Sequence, residues 1–105
     1  KPFREFLFVD DFADACIHLL EQNIKKNVFN IGSGREISIK ELAFLIKDVI
    51  EYEGEIIFDN SKPDGVKSKL LNSNKIRSFG WKPNTKLRKA LKITYEYFKN
   101  ENMVK

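Results

Sequence analysis

Cysteine and histidine are nearly absent from this sequence: Cys16 and His18 are the single examples among 105 residues. One thiol forms no intrachain disulfide, no cysteine-based zinc site and no redox pair, so a reducing, cytoplasmic setting is expected. A metal site normally needs several clustered ligands and none is seen, so the single imidazole, His18, reads as a surface or boundary residue of a helix. No apolar run approaches the roughly 18 residues that cross a bilayer, and the first residues hold no apolar signal region, so no membrane partner is expected. Long blocks of like charge are missing too, because 19 Lys and Arg alternate with 15 Asp and Glu for a net charge of +4. That pattern favours a small anionic ligand over nucleic acid, whose readers interleave aromatics with arginines on an exposed sheet. A small basic adaptor or nucleic-acid module is the rival reading, since a summed positive field alone attracts phosphate backbones.

What is present is enough apolar material for one core. With 42% hydrophobic and 12% aromatic residues, the chain reads as one domain over residues 1–105, of modest stability for its size. Lys1-Pro2-Phe3-Arg4 runs without a Met into a strand already in progress, which suggests a piece of a longer protein. The block Phe3 to Val9 reads as a strand, and Asp10-Asp11 as the cap and first turn of a helix to about residue 22. Phe12, Cys16, Leu19 and Leu20 then share one face, with Ala15 on it or beside it. After a break at Lys25-Lys26-Asn27, Val28 to Ile31 reads as a strand ended by the turn Gly32-Ser33-Gly34. Ser38-Ile39-Lys40-Glu41 is a capping box opening a helix to about residue 52, whose stripe is Leu42, Leu45, Ile46, Val49 and Ile50.

Glu55 to Phe58 reads as a third strand, and residues 59–69 as a polar loop turning at Lys62-Pro63-Asp64-Gly65. Ser73 is placed to cap a short helix through Phe79 that Gly80 ends, and Thr85 to cap the last helix. Leu87, Leu91, Thr94, Tyr95 and Phe98 mark that helix's apolar face, and residues 100–105 are expected to fray. The class is α/β, with short strands and three main helices.

No catalytic constellation assembles from these residues. Gly32-Ser33-Gly34 lacks the third glycine and the later acidic residue of a dinucleotide fingerprint, and reads as a turn. Trp81 reads as core. Arg4 is either an exposed partner of Glu5 or a planar fork of donors for a diphosphate. The loop Ser61 to Lys69, with three lysines and Asp64, is either solvated or a pyrophosphate site that also offers an acceptor to a ribose or base.

Three stretches carry a family resemblance. Arg4-Glu5-Phe6-Leu7-Phe8-Val9-Asp10-Asp11 resembles the R-E-F-L-x-V-D-D segment of extended short-chain dehydrogenase/reductases acting on nucleotide sugars. Phe29-Asn30-Ile31-Gly32-Ser33-Gly34 resembles their N-x-G-x-G strand and turn. Phe58-Asp59-Asn60-Ser61-Lys62-Pro63-Asp64-Gly65, followed by Lys69-Leu70-Leu71 and Phe79-Gly80-Trp81, is similar to the matching run of the GDP-L-fucose synthases.

The resemblance implies the small carboxy-terminal domain of an NADP-dependent oxidoreductase that epimerises and reduces GDP-4-keto-6-deoxy-mannose. It implies that this domain binds the GDP-sugar, is inactive alone, and holds no catalytic or NADP(H)-binding residue, those lying in an amino-terminal Rossmann domain. The whole enzyme is expected to be a homodimer. Position by position, the family's substrate arginine falls on Arg4, its substrate aspartate on Asp64, and a motif lysine expected near the phosphates on Lys69. Phe8 stands where some members have histidine, and Asn72 where the motif has aspartate. The second departure leaves open a relative acting on another GDP-sugar, such as a deoxyheptose.

Overall fold

A serine hydroxyl at the right distance from a glutamate sets the best-defined helix start in the chain. Ser38 Oγ accepts from the Glu41 N–H at 3.1 Å, satisfying one of the free donors of the first turn. The box closes differently from its expected form: the Ser38 hydroxyl donates to Glu41 Oε1 at 2.9 Å. Ser38 is also the last residue of a strand, registered with Phe3, and its backbone belongs to that ladder.

The computed structural model describes residues 2–24 and 27–102. Its elements are β1 (Phe3–Glu5), α1 (Val9–Glu21), β2 (Glu36–Ser38), α2 (Ile39–Ile50), β3 (Ser68–Lys69), α3 (Asn74–Ser78) and α4 (Leu87–Asn102). The strands form one sheet in the order β2-β1-β3, with β2 antiparallel and β3 parallel to β1. The class is α/β, as the sequence indicates, but the strands fall elsewhere. Only β1 overlaps an expected strand, and it stops at Glu5, because Val9 already opens α1.

Val28 to Ile31 alternates as a strand should, with Val28 and Asn30 outward and Phe29 and Ile31 against the core, yet it is not a strand. A ladder needs a neighbour to receive its N–H and C=O groups, and none lies beside this segment among the described residues. Glu55 to Phe58 lacks strand pairing as well, and Ile57 is 80% exposed.

The buried cluster is Ala15, Ile76 and Trp81, with Leu7, Leu19, Phe29 and Ile31 packed around it. Trp81 is core, as expected. The face of α1 turned inward, however, carries Asp11 and Ala15, while Phe12, Cys16 and Leu20 lie exposed. The inward face is the less apolar one, and its small Ala15 packs with Ile76 and Trp81 in the buried cluster. Asp11 does not cap α1, whose cap is Phe8 without a side-chain bond. Its carboxylate accepts instead from Thr85 N at 3.1 Å and Thr85 Oγ1 at 3.3 Å, just ahead of α4.

His18 is a boundary residue: its Nε2 lies 2.6 Å from the Phe79 carbonyl, which only accepts, so that nitrogen carries the proton. The stripe of α2 faces inward as expected and packs on α4, although no residue of α2 is fully buried. On α4 Leu87, Leu91 and Tyr95 are half-buried, the fully covered residue is Ala90, and Phe98 is 59% exposed. Residues 100–102 continue α4 where fraying was expected; the rest of that tail, like Lys25-Lys26, lies outside the described residues.

The radius of gyration is 16.6 Å, against about 13 Å for a compact domain of this length. Accessible surface amounts to 8358 Å², where a compact monomer of this mass would show about 6,100 Å². The excess matches the many exposed large apolar side chains on α1, α4 and residues 52–58.

Candidate functional site

Strand alternation decides where the first candidate points. Successive residues of β1 face opposite sides of the sheet, so Arg4 and Glu5 do not pair across solvent. Glu5 turns to the side of the glycine turn, where its carboxylate accepts from Gly34 N at 2.6 Å and Leu71 N at 3.1 Å. Arg4 turns to the other side. Its Nη1 donates to the Phe3 carbonyl at 2.7 Å, and its Nη2 lies 4.0 Å from where a Cβ at Gly65 would stand.

The parallel register pairs Arg4 with Lys69, and registered neighbours project from the same face of a sheet. Two cations from β1 and β3 therefore stand side by side. The turn holding Asp64 comes up beside Arg4, and Gly65 within it adopts φ +78°, a left-handed conformation that suits glycine. Arg4 is half-buried, whereas Asp64 and Lys69 are exposed. The three sequence candidates thus share one shallow, open surface.

The loop that delivers Asp64 is organised at its start. Ser61 N and Ser61 Oγ donate to Asp59 Oδ1 at 2.9 and 2.5 Å. These bonds, the hydroxyl's foremost, hold the exposed Asp59 carboxyl below its ordinary value of 3.8. At the far end Phe3 N donates to Lys67 O at 2.7 Å, stitching the loop onto β1.

Glu5, Asp11 and Arg77 have structural roles that the sequence reading missed. Alternation along β1 was the available signal for Glu5; nothing in local sequence joins Asp11 to Thr85, 74 positions away. Arg77 Nη2 donates to Ser33 O at 2.9 Å, and Gly34, at φ +79°, leaves room for that guanidinium. No group of three or more potential metal ligands occurs among the described residues. No described helix is long and apolar enough to cross a membrane.

The α/β arrangement is shared with epimerases and reductases of the short-chain dehydrogenase/reductase fold, which it covers over about 30% of their length. The model of the NAD dependent epimerase/dehydratase family matches residues 1–32. More narrowly, the chain is homologous to part of the GDP-L-fucose synthases and GDP-heptose reductases. It is 50% identical to GDP-L-fucose synthase 1 of Arabidopsis thaliana over 98 residues, 93% of this chain and 30% of the relative. A solved GDP-6-OMe-4-keto-L-xylo-heptose reductase from C. jejuni superposes with a TM-score of 0.84 at 36% identity, covering 97% of this chain and 32% of that one. A GDP-mannoheptose C4 reductase from Campylobacter jejuni with NADP bound gives 0.79 at 35% identity, covering 94% and 32%. The chain spans about a third of the length of the relatives it matches.

The Gly32-Ser33-Gly34 turn does not fit the pyrophosphate of NADP. A dinucleotide turn must offer its N–H groups to the pyrophosphate, and here the Gly34 N–H is already bonded to Glu5. The helix that follows, α2, begins only at Ile39.

Proposed function

We propose that this chain is the carboxy-terminal, substrate-binding domain of a cytoplasmic GDP-sugar epimerase/reductase. Arg4 and Lys69 hold the diphosphate, and Asp64 accepts from the ribose or the base. The observation that carries this reading is the β1–β3 register, which sets the planar donors of Arg4 beside the Lys69 ammonium, with the Asp64 turn beside Arg4. Two cations answer a diphosphate, whereas a carboxylate accepts from hydroxyls or a base edge, so one small surface supplies both halves of nucleotide recognition.

Hydride chemistry then belongs to an amino-terminal Rossmann domain that binds NADP(H). Two features support a second domain. The surface in excess of a compact monomer's is of the order of a large interface, and Val28 to Ile31 has strand alternation without a neighbour. The likeness to the Arabidopsis enzyme favours GDP-4-keto-6-deoxy-mannose as substrate. A GDP-heptose is the second reading, favoured by the superposition on the C. jejuni reductase.

Equilibrium binding to the full-length protein tests the assignment. Arg4→Ala should weaken GDP at least tenfold, the loss of a charge-assisted contact, while leaving NADPH affinity unchanged. GDP affinity equal to wild type in an Arg4→Ala, Lys69→Ala double variant would remove these residues from the site.

A further inference from the structure

The opposite side of β1, the side Glu5 faces, borders a cavity that the proposed substrate surface does not use. It has a volume of about 590 Å³, opens to solvent, and includes neither Arg4, Asp64 nor Lys69 in its wall. Three cations from separate segments line it: Arg35 after the glycine turn, Arg77 on α3, and Lys82 after Trp81. No carboxylate lines it. The nearest carboxylate, Glu5, is bonded to the Gly34 and Leu71 amides behind this wall, so the three cations outnumber the one acid beside them and leave a net positive local field.

A second, independent feature of the same wall is Ser73. It is 4% exposed, and its Oγ is buried without a hydrogen-bond partner. A hydroxyl at the start of a helix would ordinarily cap it, but the neighbouring Asn72 has taken that role, its Oδ1 accepting from Asn74 N at 3.0 Å. Ser73 makes no side-chain cap bond. A buried hydroxyl left unpaired is costly, and it becomes useful where a ligand oxygen completes it. Arg77 is meanwhile held in place by its bond to Ser33 O, so part of its donor fork is fixed before any ligand arrives.

We propose that this cavity is a second anion site, which takes a phosphate group of the phosphomonoester class with Arg35, Arg77 and Lys82 as its cations and Ser73 as a hydroxyl donor. Leu71 and Pro83 line the same wall and give the ligand's carbon body an apolar surface. The site stands apart from the Arg4 surface because adjacent residues of β1 face opposite ways, and it does not depend on that surface binding GDP.

The test is titration of the full-length protein with inorganic phosphate at constant ionic strength, following the backbone amide signals of Ser33, Gly34 and Asn74. Saturable shifts are expected, with the affinity falling at least tenfold in an Arg35→Gln, Lys82→Gln double variant. Both side chains are exposed and neither makes a side-chain hydrogen bond or ion pair among the described residues, so loss of fold does not confound the result. Ser73→Ala should weaken phosphate severalfold and also raise the melting temperature of the phosphate-free protein, since it removes a buried unpaired hydroxyl. Shifts reproduced by chloride at the same ionic strength, or unchanged in the double variant, would overturn the site. A Ser73→Ala protein that melts lower and binds phosphate as well as wild type would remove Ser73 from it.

Discussion

The half of the molecule around Ile76 and the half around α2 and α4 use similar apolar material to different effect. In the first, a five-residue helix places Ile76 at 0% exposure between Ala15 of α1 and Trp81, and Lys75 fastens the approaching Val28 carbonyl at 2.9 Å. In the second, twelve residues of α2 with a regular stripe bury none completely, because α4 covers them from one side only. Periodicity selects which face turns inward; complete burial needs neighbours on several sides, which chain topology brings to Ile76 and, on α4, to the small Ala90 but not to the stripe of α2.

The largest expected effect on this contrast comes from Ile76→Ala. A fully buried isoleucine reduced to alanine costs about 2–5 kcal/mol, so chemical denaturation should show a loss in that range. A loss below 1 kcal/mol, roughly what a surface change gives, would mean that the Ile76 cluster is no better packed than the α2 side.

Asp11→Ala sits in the middle, because this buried carboxylate joins the two halves by accepting from Thr85 just ahead of α4. Removing it leaves the Thr85 N–H and hydroxyl without their acceptor and should cost about 1–3 kcal/mol. Hydrogen exchange would show whether the amides at the start of α4 lose protection first. Uniform loss across the chain would instead make Asp11 a general core residue.

The smallest effect belongs to Arg88 and Asp48, whose 2.7 Å bridge ties α4 to α2 with both side chains more than 60% exposed. Solvent screening leaves such a pair at about 0–1 kcal/mol, and 1 M salt should erase the difference between wild type and Arg88→Ala. A salt-independent loss larger than that would show the bridge to be a structural part of the α2–α4 contact.

Sequence by itself determined the local features of this protein. Ser38 and Glu41 declare the start of α2, Leu42 to Ile50 declare its inward face, Gly65 its loop turn, and Trp81 its place in the core, since each depends on residues within a turn or two of chain. Motif and charge in the sequence also nominate Arg4, Asp64 and Lys69 for the proposed substrate site. Tertiary structure alone decided the rest. Which face of α1 is buried depended on the fit of Ala15 to Ile76 and Trp81 and of Asp11 to Thr85, although the opposite face is the more apolar. Whether Val28 to Ile31 becomes a strand depends on a neighbour, because a ladder is a property of two segments. That Arg4 stands beside Lys69 while Glu5 reaches Gly34 and Leu71 followed from the parallel β1–β3 register, a pairing between residues 65 apart that local propensity does not encode.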